Sequence, residues 1–177
     1  MLIVLLKIIA LASLLAIFYQ DQKDRMVYWW FFLIGAVGFS ILHIQEVGWL
    51  QFGIHCAFNI GLVSTILVVL MLYIRIRFQT FRLQNVLGLG DILLFYALAL
   101  SFATLSFVTL FVFGLLFSLV LHLVFKNKHQ YTLSRKRINS ESSSQEITVP
   151  LAGYLSLFFA GVLLVHWLGF YENLYVI

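Results

Sequence analysis

Apolar runs, each near the length of a bilayer crossing and separated by polar strings, repeat along this chain. A helix spanning the hydrocarbon core needs about 20 apolar residues, somewhat fewer where it ends at the interface. Six runs answer to that: 2–19, 27–42, 52–73, 88–103, 105–125 and 150–168. The pattern predicts an all-α polytopic membrane protein with six transmembrane helices in a single domain, 1–177, with a flexible polar connection over about 126–149. The fourth and fifth runs are the hardest to divide, because 91–125 holds no Pro and only Gly114. One helix of that length would reach about 50 Å at 1.5 Å per residue. A hairpin is predicted instead, turning in the string around Ser101, Thr104 and Ser106. The first run is predicted to be a retained helix. Ala10-Leu11-Ala12 has the small-x-small form of a cleavage site, but the run continues through Leu14, Leu15, Ile17 and Phe18, and Lys7 interrupts the part before it.

Composition fixes the solvent. The chain is 63% hydrophobic and 10% charged, with mean hydropathy +1.03, against about 45–50% apolar and 25% charged in soluble domains. Its single Cys56 lies in the third run, which rules out an internal disulfide and reads as a small buried apolar residue.

Charge then gives orientation. Ten of the eleven Lys and Arg lie in the first, third and fifth connections, and Lys7 can snorkel outward. The positive-inside rule puts those connections in the cytoplasm and both termini outside, as in a multi-pass protein of the inner (plasma) membrane. The net charge of +4 is thus a matter of topology and anionic lipid, and no nucleic acid is expected as a partner. Tyr28, Trp29 and Trp30 form an aromatic belt at one face, and Trp49, Trp167 and Tyr171 form one at the other.

Against this background Asp91 stands out. It follows Gly88-Leu89-Gly90 at the mouth of the fourth run, and an ionisable side chain at membrane depth costs roughly 2.5–3.5 kcal/mol, which makes it a functional-site hypothesis. The structural alternative is a helix N-cap. Asp21 and Asp24 lie on the same predicted side. Asp21 directly follows the first helix, whereas Asp24, between Lys23 and Arg25, reads as a solvated loop acid. Two carboxylates a few Å apart share one proton, so the ionised one can activate water while the neutral one donates to a carbonyl oxygen. That chemistry is aspartyl proteolysis. Gly88 and Gly90 would let a strand-like substrate approach Asp91 closely.

The motif Gly88-Leu89-Gly90-Asp91 at the start of a helix resembles that of the GxGD intramembrane aspartyl proteases, and within them the type IV prepilin and preflagellin peptidases. Two further segments are similar to that family's motifs. Asp21-Gln22-Lys23-Asp24-Arg25-Met26-Val27 matches an Asp followed by basic residues and an aliphatic one, and Val149-Pro150-Leu151-Ala152-Gly153-Tyr154-Leu155 matches the segment that opens the last helix. The resemblance implies a GxGD-type bundle with Asp21 and Asp91 catalytic, Gly88, Gly90 and Pro150 at the substrate-binding site, and no cofactor. It implies as substrate a pilin-like precursor whose leader is cut at the cytoplasmic border. Tyr28 and Trp29 stand where the family has Pro-Asn, and no Lys follows Asp91 closely. No four-cysteine zinc element is present, so methyltransferase activity is not expected. The presenilin-type branch fits less well, since Gln20 separates Tyr19 from Asp21.

Other features leave alternatives open. Pro150 suits the first turn of a helix on its own account. His43, His55, His122, His129 and His166 show no metal-ligand spacing, so no metal is expected. The stretch 75–85 mixes bases with Phe78, Phe81 and Leu83, as an interfacial segment would. A non-enzymatic membrane subunit or scaffold of a secretion or pilus assembly, in which Asp91 only caps a helix, is the alternative from another class. A proton-coupled transporter is disfavoured, because no acid lies deep in the other helices.

Overall fold

A computed structural model describes residues 1–24, 26–78, 88–136, 151–169 and 175. Pro150, Tyr171 and residues 79–85 of the interfacial stretch lie outside them. The described residues form five helical elements and no strand: α1 (Leu2–Lys23), α2 (Trp29–Phe78), α3 (Leu89–Ala99), α4 (Thr104–Lys136) and α5 (Leu151–Trp167). Three of these are long and apolar enough to cross a membrane, namely α1, α2 and the Thr104–Phe125 part of α4, whereas α3 and α5 are shorter apolar helices. In the most apolar windows of α1 and α4 only 22% of residues are buried. Leu5, Ile8, Val68, Phe113 and Val120 accordingly face outward, a surface suited to lipid.

α2 is two helices in one. At Gly48 the backbone has φ 81 and ψ 167, a region open essentially to glycine. The first arm runs beside α3 in the same direction, with Phe32 against Gly90 and His43 bonded to Leu100. The second arm runs the opposite way, with Asn59 bonded to Ala99 and Ser64 to Tyr96. The chain therefore doubles back at Gly48. Here the structure corrects the sequence reading, which takes 43–51 as a connection: the helix continues on both sides of a one-residue reversal, because Gln45 and Glu46 are polar without being helix breakers. A Cβ added at Gly48 would meet no atom within 4 Å, so Gly48→Ala isolates the backbone term. It should lower stability by about 1–3 kcal/mol, read as a lower unfolding midpoint in detergent; an unchanged midpoint would refute the positive-φ reversal.

Two other boundaries move. α1 reaches Lys23, placing Asp21 in its last turn, and α4 continues past Phe125 to Lys136. Hydropathy falls at both points, but polar residues without Gly or Pro do not stop a helix. The break between α3 and α4, over residues 100–103, lies where the polar string predicts it.

The packing follows from small residues and one apolar stripe. On α1, Ala10, Leu14, Ile17 and Asp21 recur at spacings of four and three and are all buried. Ala10 packs on Gly38 and Ser13 on Gly35, so backbones rather than long side chains meet between α1 and the first arm of α2. α5 lies between α1 and α4 and touches α3, with Leu155, Phe159 and Leu163 fully buried. α1 and α5 are antiparallel. Lys7 near the start of α1 sits over the Trp167 ring at the end of α5, at 5.4 Å, and Asp21 at the end of α1 reaches Gly153 at the start of α5.

α3 has 11 residues, a length of about 16 Å, roughly half the hydrocarbon thickness. The turn that follows it is buried at Ser101, Phe102 and Ala103. Side chains of α2 satisfy its backbone. Asn59 Nδ2 donates to the carbonyls of Ala99 (2.9 Å) and Phe102 (3.0 Å), and His43 Nδ1 donates to that of Leu100 (3.1 Å). The Thr104 N–H donates to His55 Nδ1 at 3.0 Å.

Candidate functional site

Asp21 is turned inward by the stripe it completes, whereas Asp24, past the helix end, is exposed. Asp91 reaches the same region from another element. Gly88 is extended (φ −67, ψ 148) and starts α3, and Asp91, its third residue, accepts the Gly88 N–H on Oδ2 at 3.1 Å. The N-cap is therefore Gly88 and not Asp91, which corrects the alternative reading: from the third position the carboxylate reaches back to the N-cap N–H, as the acidic member of a capping box does. This bond engages one carboxylate oxygen. The side chain is nevertheless 9% exposed, on the stripe with Leu94, Phe95 and Leu98 that packs inward.

The two acids meet at the start of α5. The first four N–H groups of a helix have no partner within it and carry the positive end of its dipole. Gly153, the third residue of α5, donates its N–H to Asp21 Oδ2 at 2.5 Å, and the Ala152 N–H interacts with the Asp91 carboxylate. One helix end thus holds the Asp21 carboxylate and lies beside that of Asp91, which comes from a distant part of the chain. The two carboxylates are close enough for the charge of Asp21 to act on Asp91.

Close approach here depends on Gly153. A Cβ on it would lie 2.9 Å from Asp21 Oδ2, closer than real Cβ contacts come, and 3.2 Å from Asp21 Cβ, which would have to give by a few tenths of an ångström. The other glycines differ. A Cβ on Gly88 would come within 3.3 Å of Asp91 Oδ2, whereas one on Gly90 would touch only Phe32, at an ordinary 3.5 Å. Gly88 therefore borders the carboxylate directly and Gly90 lines the contact with α2. Pro150 lies outside the described residues.

In the sequence, Ala152 and Gly153 read only as part of an apolar segment and not as donors. A signal existed: small residues at the second and third positions of a helix leave its N–H groups open to side chains from elsewhere. His43 and His55 likewise read only as failed metal ligands, and Asn59 drew no notice. Among the described residues no group of three or more His, Cys, Asp or Glu is placed to hold a metal ion.

No family model matches the chain, and neither a curated protein nor a solved structure is significantly similar to it.

Proposed function

We propose that this chain is an intramembrane aspartyl endopeptidase that cleaves the leader of type IV pilin-like precursors at the cytoplasmic membrane border. The observation that supports it most is the convergence of Asp21 and Asp91, both largely buried, on the N-terminus of α5. Two such carboxylates do not both ionise readily, so they share a proton. The ionised member takes a proton from water as the oxygen attacks the scissile carbonyl, and the neutral member donates to the developing oxyanion. Collapse of that intermediate expels the amine, which takes the transferred proton.

Counting the arms of α2 separately, the described residues hold six helical segments, as many as the proposed bundle has, with α3 and α5 the short ones. With basic connections inside, Asp21 and Asp91 face the cytoplasm and both termini lie outside. A pilin-like substrate fits this placement, with its apolar helix in the bilayer and its short basic leader in the cytoplasm. The scaffold reading keeps one specific support, since the Asp91 carboxylate already serves as a structural acceptor for the Gly88 N–H at the start of α3.

Cleavage of a panel of prepilin-like peptides in liposomes separates the two. A pair that shares one proton fails when both members are protonated or both ionised, so the rate should pass through a maximum with pH and fall on either side. Chelators and inhibitors of serine or cysteine proteases should leave it unchanged. A sigmoidal profile, or loss of activity with a chelator, would count against the acid pair; no cleavage across a broad panel would favour the scaffold.

A further inference from the structure

The clasp on the α3–α4 turn has a feature that simple burial does not explain. His43 and Asn59 are 0% exposed and their donors are used, but among the described residues His43 Nε2 and Asn59 Oδ1 are buried acceptors with no partner. Apolar residues there would remove those two orphans but take the donors from the Ala99, Leu100 and Phe102 carbonyls, at about 1–3 kcal/mol for each acceptor left unsatisfied. The donors must therefore matter for what they hold, which is the C-terminal end of α3.

What α3 holds at its other end is Asp91. The helix is short and packed along one stripe that runs from Asp91 through Leu94 and Phe95 to Leu98. Asp91 and Ala99 lie eight residues apart on one rigid helix, about 12 Å along its axis. An axial slip at the clasp is passed to the carboxylate undiminished. The backbone groups that act on Asp91 are the Gly88 N–H and the Ala152 N–H, and the first belongs to α3's own start and moves with it.

We propose that His43 and Asn59 are positioning residues: by clasping the Ala99, Leu100 and Phe102 carbonyls they set the axial position of α3, and with it the separation of Asp91 from Asp21. Gly48 makes this possible, because the reversal brings His43 on one arm and Asn59 on the other to the same turn. Asn59 spans two carbonyls on either side of the turn, and His43 holds the one between.

The test has two arms, and only the second rests on the protease reading. In a Cys56→Ala background, spin labels at Tyr19→Cys on α1 and Leu93→Cys on α3, both exposed positions, report the α1–α3 distance in nanodiscs. Asn59→Leu, nearly the same size but without donors, should shift or broaden that distance distribution. His43→Asn, which keeps a donor where Nδ1 stands, should restore it relative to His43→Leu. Ser118→Ala, which alters a buried hydroxyl away from the turn, should leave it unchanged. In the cleavage assay Asn59→Leu should lower kcat by about a hundredfold, leave KM unchanged and flatten the pH maximum, because separated acids no longer share a proton. A sharp, unmoved distribution in both Asn59→Leu and His43→Leu overturns the proposal whether or not the wild type cleaves any peptide. Should Asn59→Leu fail to fold, the contrast between His43→Leu and His43→Asn decides, and equal distributions in those two overturn it.

Discussion

Asp21→Asn and Asp91→Asn should each reduce processing of a co-expressed cognate prepilin by at least about a hundredfold, the lower end of what a positioned acid or base contributes. Asn keeps the size and shape of Asp but cannot share a proton, so both proteins should still insert and accumulate in the membrane. Asp24→Asn should process normally, since Asp24 is exposed beyond the end of α1. The comparison is read by immunoblot of precursor and mature pilin, with membrane levels of each variant measured alongside. Equal loss in Asp24→Asn, or full processing in Asp91→Asn, would show the roles to be wrongly assigned.

The second large effect is expected at Gly153, which the acid pair needs to be side-chain-free. In Gly153→Ala the new methyl group meets Asp21 at its Cβ as well as at Oδ2. Relieving the contact with Oδ2 means turning the carboxylate off the Gly153 N–H, and the contact with Cβ, fixed to the α1 backbone, then parts α1 and α5 by a few tenths of an ångström. Overpacking of this kind costs about 1–3 kcal/mol, and displacing a reacting group by about 1 Å can cost a hundredfold in rate. Gly161→Ala on the same helix is the control. A Cβ there meets nothing within 4 Å, so helix propensity alone should apply, stabilising by up to about 1 kcal/mol. Thermal unfolding and cleavage measured on both variants decide the matter. Wild-type activity in Gly153→Ala would mean that Asp21 does not need the α5 N-terminus.

Much of this was legible from local pattern. The apolar runs marked every helix, and Ser101, Thr104 and Ser106 marked the α3–α4 break. Asp91 was visible because a charge in an apolar run is costly. Helix ends were harder: hydropathy falls after Tyr19 and Phe125, yet α1 and α4 run on, since solvation and helix propagation are separate matters. The reversal at Gly48 was hidden because one glycine with positive φ suffices, and a run of polar residues is not needed. The donors from Ala152 and Gly153 were invisible for another reason. They are backbone groups, so the residue letters record only that space was left for something to approach them.

The bond from Gly153 to Asp21 joins residues 132 positions apart, and this has a consequence for biosynthesis. At about 5–20 residues per second, α5 leaves the ribosome roughly 7 to 26 s after the end of α1. Throughout that interval Asp21 is already made and the helix end that receives it is not. The nascent chain therefore passes through a stage with its earlier helices present and its acid pair unassembled. Completion of α5 both closes the bundle and gives Asp21 its partner, so on the proposed protease reading a nascent chain still lacking α5 would have no cleavage site.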